Sequence, residues 1–132
     1  MATATAHPDW RLISSEDVEG TTVYDMSGNQ IGSVDHLMID KVSGRVAFAV
    51  MSFGGFLGLG HSHYPIPWGA LTSEADIDRA KPWHRYDTGL DGYKTNVTEA
   101  QLRDAPEFSD DSWADRDWQR RTYSHYNVQP YW

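Results

Sequence analysis

Val46-Ala47-Phe48-Ala49-Val50-Met51-Ser52-Phe53 is apolar or small at every position except Ser52. A half-exposed strand alternates apolar with polar residues, whereas an unbroken short run marks a strand covered on both faces. Eight residues is strand length and too short for an independent helix. The chain must therefore supply cover for two sides of one strand. Upstream, Val34 sits on one parity while Leu37 and Ile39 sit on the other, so regular alternation cannot bury all three. A β-bulge near Asp35 or His36 restores the phase and bends the strand. Between the two strands lies Asp40-Lys41-Val42-Ser43-Gly44, where Gly44 takes the positive φ that a short bulged hairpin demands.

The flanking segments extend this hairpin. Ser14 to Gly20 carries a hydroxyl cap, acids in the first turn and a closing glycine, which predicts one helical turn. Thr21 to Tyr24 predicts a strand, and Asp25-Met26-Ser27-Gly28-Asn29 a turn into the strand from Gln30, so three strands meander antiparallel. Gly54 to Gly60 is a glycine-rich loop built on Gly54, Gly55, Gly58 and Gly60. In His63-Tyr64-Pro65-Ile66-Pro67 two prolines remove ladder donors, which places the segment at a sheet edge or mouth. Thr72 to Ala80 is polar and acidic and reads as a helical turn or surface insertion. Trp83 to Tyr86 and Gly92 to Val97 read as two further strands, and Thr98 to Gln101 as a capping box opening a helix to about Asp104. About five or six short strands suit a small closed antiparallel barrel. The expected divisions are a flexible segment over 1–11, the barrel domain over 12–105 and a helical or extended tail over 106–132, its second helix starting near Ser112 to Asp115 and running to about Tyr123.

Composition narrows the function. With no cysteine there are no disulfides, thiolate nucleophiles or cysteine metal sites. A net charge of −8 disfavours nucleic acid, whose binding begins with basic residues neutralising phosphates. No stretch approaches a membrane span and no secretory leader is evident, so the expectation is a cytoplasmic protein without membrane insertion.

Motif by motif, catalysis finds little support. The glycine loop lacks the Gly-Lys-Ser/Thr ending of a phosphate cradle, and neither Gly-x-Ser-x-Gly nor His-Glu-x-x-His occurs. The chain reads as non-enzymatic and free of cofactors. His61 and His63, two apart, would project from one face of an extended segment as two metal ligands, with His36, Asp35 or His84 able to complete a set. The alternative reading of the same histidines is polar strand residues that make association sensitive to pH.

Aromatic content is what stands out. Six Trp and seven Tyr serve small cores and interfaces equally well. Phe56, Leu57 and Leu59 ride the glycine loop, and the tail carries Trp113, Trp118, Tyr123, Tyr126, Tyr131 and Trp132 among arginines and aspartates, the residue types of interface hot spots. The expected contact residues are Phe56, Leu57, Leu59, Tyr64, Trp113, Trp118, Tyr131 and Trp132. The tail is expected to dock on a barrel surface, its own or a neighbouring subunit's, with partner recognition as the alternative.

Several short motifs, Gly20-Thr21-Thr22-Val23-Tyr24-Asp25, Gly28-Asn29-Gln30-Ile31-Gly32-Ser33-Val34, Met38-Ile39-Asp40, Gly44-Arg45, Gly54 to Gly60 and Pro67-Trp68-Gly69-Ala70-Leu71, follow one another in an order and spacing that resembles the PRC-barrel family. The resemblance covers roughly Leu12 to Ala105 and implies a PRC-type β-barrel in a stand-alone bacterial member. That family takes its name from the barrel of the photosynthetic reaction centre H subunit, which packs on other subunits, and a similar barrel in a ribosome-maturation factor helps engage a ribosomal protein. The resemblance thus implies an adaptor that self-associates as a dimer or higher oligomer and recruits an unidentified protein, by analogy in the assembly of photosynthetic or electron-transfer complexes. The alternative is a small-ligand or metal-binding barrel using His61 and His63.

Overall fold

The computed structural model describes residues 12–53, 63–73 and 92–132. Within them the chain is mainly β. Six strands, β1 (Thr22–Tyr24), β2 (Gln30–Ile39), β3 (Val46–Phe53), β4 (His63–Pro67), β5 (Leu71–Ser73) and β6 (Gly92–Thr95), form one sheet in the order β4-β3-β2-β1-β6-β5. The helices are α1 (Ser15–Val18), α2 (Glu99–Asp104) and α3 (Arg116–His125).

The central hairpin follows the sequence closely. β2 and β3 pair antiparallel, and their register shifts between Val34 and His36, leaving Asp35 as the extra residue of a bulge. The shift keeps Val34 and Leu37 in one core despite their opposite parity. Ile39 does not follow them: a second shift between Met38 and Ile39 turns it out, and it is 53% exposed. At the turn Asp40 Oδ1 accepts from the Val42 and Ser43 amides at 2.9 and 3.1 Å, and Gly44 has φ +81°. Gly28 closes the preceding turn at φ +91°.

Further expectations need correction. The sheet is mixed rather than antiparallel, because β1 pairs parallel with β6, Thr22 opposite Gly92. Thr72 and Ser73, read as the start of a helical turn or surface insertion, belong to the strand Leu71–Ser73 paired to β6. The expected strand over Trp83 to Tyr86 lies outside the described residues. Strands β4 and β5 end the sheet, and only a 3-10 turn, Trp68–Ala70, separates them in the chain, so the sheet must curl. Among the described residues no ladder joins β4 to β5, and the expected barrel is seen as a curled open sheet.

The prolines of β4 fit its edge position. Antiparallel pairing of Ile66 with Ala49 and Tyr64 with Met51 uses positions that own an N–H, so Pro65 and Pro67 turn their missing donors away from β3.

β3 is covered on both faces, as its composition requires. Ala49, Met51 and Phe53 pack with Val23, Val34 and Ile66 in the larger core, inside the curl. Phe48 faces the other way, into a second cluster with Trp118 and Tyr123 from α3. The second cover is thus the C-terminal arm. A 3-10 turn over Asp110–Ala114 leads into α3, which Asp115 caps by accepting from the Asp117 and Trp118 amides, at the end of the expected start from Ser112 to Asp115. The capping box at Thr98 and Gln101 is present and α2 ends at Asp104, as expected. Among the described residues no helix is long and apolar enough to cross a membrane.

Candidate functional site

Two places gather chemistry-bearing side chains. The first is the β2 bulge. Because Asp35 is the extra residue there, its carboxylate stays at the surface beside two imidazoles: His36 Nδ1 lies 2.7 Å from Oδ2 and His63 Nε2, across β3, lies 3.7 Å from Oδ1. The hydrogen bond from His36 is the main reason the Asp35 carboxyl titrates below its ordinary range, with the charge of His63 adding to it. His36 and His63 thus both reach the Asp35 carboxylate. Among the described residues, however, no group of three or more His, Asp or Glu side chains is placed to hold a metal ion, and His61 lies outside them.

The second place is the hairpin end, where the arm is pinned. Asp40 uses one oxygen to build the turn and the other, Oδ2, to accept the Tyr131 hydroxyl at 2.6 Å. Arg45 Nη1 donates to the Tyr131 carbonyl at 3.1 Å, and the Arg116 guanidinium lies 4.6 Å from the centre of the Trp132 ring. The bond from Tyr131, followed by those from the turn amides, holds the Asp40 carboxyl below its usual range. Burial and the neighbouring carboxylate push the Tyr131 phenol upward. Around this pin stand apolar side chains in water: Val42 at 93% exposure, Ile39 at 53% and Trp132 at 43%.

The expected contact residues separate into groups. Phe56, Leu57 and Leu59, with Gly54, Gly55, Gly58 and Gly60, lie outside the described residues. Tyr64 is half-buried on β4, its ring 5.6 Å from that of Phe53. Trp118 is placed inside, only 2% exposed, with Phe48 5.4 Å away. Trp113 is half-buried in the same cluster, edge-on to Phe48 and Phe108. The tail thus lies on its own sheet, fastened by the Tyr123 hydroxyl donating to the Ala47 carbonyl at 2.5 Å and by His125 Nε2 against the Gln101 carbonyl at 2.7 Å. Tyr131 is half-buried at the pin, which leaves Trp132 as the tail aromatic most open to solvent there.

Sequence reasoning missed Ile39, Val42, Asp40, Arg45 and Arg116 as parts of one surface. One signal was readable: a valine inside a five-residue turn has no core to enter. The partners of Asp40 and Arg45, far along the chain, left no local trace.

A small curled mainly-β domain with a helical arm across its outer face is the class that this geometry defines. A family model for the PRC-barrel domain matches residues 11–102, and the chain belongs to that family. No curated protein matches it.

Proposed function

We propose that this protein is a non-enzymatic interaction module that self-associates and recruits another protein, using the β2–β3 hairpin end and the pinned C-terminal residues as its contact surface. In this reading the curled sheet works as a PRC-type barrel, its end strands drawn together by the Trp68–Ala70 turn, and the arm stiffens its outside. The observation that carries the proposal is the exposure of Val42, Ile39 and Trp132 together beside the pinned arm; Leu12, Ile13 and Met26 are also exposed among the described residues, away from that pin in the chain. Fully burying such a side chain contributes about 1.5–3 kcal/mol before ordering costs. The surface is also organised beforehand, since the Asp40, Arg45 and Tyr131 contacts fix the arm on the hairpin root. A preformed surface loses less entropy on binding.

Val42→Asp tests it, because Val42 carries no internal packing and its replacement leaves the fold intact. Static light scattering of wild type should give an oligomer and of Val42→Asp a smaller species. Partners cross-linked to the wild type in its native cell should be lost from the variant. An unchanged mass together with an unchanged set of cross-linked partners would assign contact to another surface.

A further inference from the structure

Acidic residues outnumber lysine and arginine in this chain by 19 to 11, so a cation without a carboxylate beside it is notable. On the helices the cations are matched: Arg103 pairs with Glu99, and Arg120 and Arg121 pair with Asp117. Lys41, Arg45 and Arg116 form no ion pair among the described residues, and all three belong to the hairpin end and its pinned arm. Arg45 donates to a neutral carbonyl and Arg116 lies over the Trp132 ring, contacts that position the guanidinium groups without cancelling their charge. Lys41 is exposed in the turn beside Val42. The neighbouring acids are occupied elsewhere. Asp40 accepts from the turn amides and the Tyr131 hydroxyl, and Arg116 is the smallest of the influences on its carboxyl. Asp115 is turned to the α3 amides.

We infer that the protein recruited at this surface presents an acidic segment with apolar side chains between its carboxylates. The carboxylates meet Lys41, Arg45 and Arg116, and the apolar groups cover Ile39, Val42 and Trp132, which are exposed beside them. This rests on the interaction reading above and gives the recruited protein a chemistry. The net charge of −8 does not prevent the contact, because exposed charges more than about 8 Å apart are largely screened at physiological ionic strength. A short segment therefore meets the local cations. An anionic membrane would instead lie against a whole side of an acidic molecule. A second copy meeting this surface face to face would set cation against cation.

The test uses the full chain and a short rhodamine-labelled peptide of alternating glutamate and leucine, with glutamine in place of glutamate as the uncharged comparison. Fluorescence anisotropy should show the acidic peptide binding roughly tenfold more tightly, the scale of three exposed ion pairs. That preference should fade between about 0.1 and 1 M salt, as the screening length falls from about 10 to about 3 Å. Lys41→Glu should weaken the acidic peptide about fivefold and leave the glutamine peptide unchanged. Val42→Asp should weaken both. An acidic peptide that binds no better than the glutamine one, or that binds Lys41→Glu as tightly as wild type, overturns the inference. If Val42→Asp still weakens both peptides in that case, the hairpin end stands as the contact surface and only the partner's charge is wrong. If Val42→Asp affects neither, the interaction reading falls with it. Flotation with vesicles of equimolar phosphatidylcholine and phosphatidylserine that Val42→Asp abolishes would make the occupant a membrane. An oligomer that Lys41→Glu dissociates, with peptide affinity unchanged, would make it a second copy. Either result overturns the inference.

Discussion

Asp40 serves two structures with two oxygens, one shaping the turn and one receiving the arm, so its protonation bears on both. Its carboxyl is depressed in the folded state, chiefly by Tyr131. The stabilisation is therefore complete above the ordinary carboxylate range and is lost as pH falls through the lowered folded value. Carbon-detected NMR titration should show Asp40 below its ordinary value in wild type and returned toward it in Tyr131→Phe. Asp35, whose largest cause is His36, should not respond to that substitution. At the alkaline end the sign reverses. Burial raises the Tyr123 and Tyr126 phenols, so the contribution of these rings holds below about pH 10, the ordinary phenol value, and is lost as pH rises through their folded values.

At the scale of elements, the hairpin and the arm are each held by a feature that one substitution removes. Gly44 has φ +81° with open space where a Cβ would stand, so Gly44→Ala suffers only the left-handed backbone penalty, about 1–2 kcal/mol, visible as a lower Tm. Gly32 is the contrasting case: a Cβ there would sit 2.3 Å from the Ser52 carbonyl oxygen on the paired strand, so Gly32→Ala must part β2 from β3 and should lower Tm further. Phe48 joins sheet to arm, touching Trp113, Trp118 and Tyr123. Phe48→Ala should cost about 3–5 kcal/mol in denaturant unfolding.

These elements also divide by how far they could be read beforehand. The bulge, Gly44, the Thr98 capping box and the two-sided burial of β3 were all legible, because each is written in residues a few positions apart. The parallel β1–β6 pairing and strand β5 were not, because Leu71–Ser73 becomes a strand only by meeting Thr95 and Tyr93. In the arm, composition drew attention to Trp118 as a contact residue. Spacing was the better guide: Trp118, Thr122 and Tyr123 share the buried face of α3, while Asp117, Arg120 and Arg121 point outward. For the candidate site the outcome is similar, since an apolar residue in a turn could be noticed but the arm that pins beside it could not.

For the molecule as a whole, the arm is a structural wall as well as an appendage. The family match ends at residue 102, yet the outer side of β3 is covered by side chains beyond it. A chain truncated after Ala105 should expose Phe48 and Ala47, bind a hydrophobic dye such as anilinonaphthalene sulfonate and aggregate, while the full chain does neither.

The parallel seam between Thr22–Tyr24 and Gly92–Thr95 has a consequence for how the molecule is made. It joins the first strand of the sheet to the last in the chain, so among the strand pairings its closure bears the largest loop entropy and comes after the local hairpins. Until then β1 offers a bare strand edge, and the β6 of another copy satisfies it as well as the chain's own. Crowded refolding should therefore yield interlocked pairs with the same hydrogen bonds as the lone molecule, and dilute refolding should not.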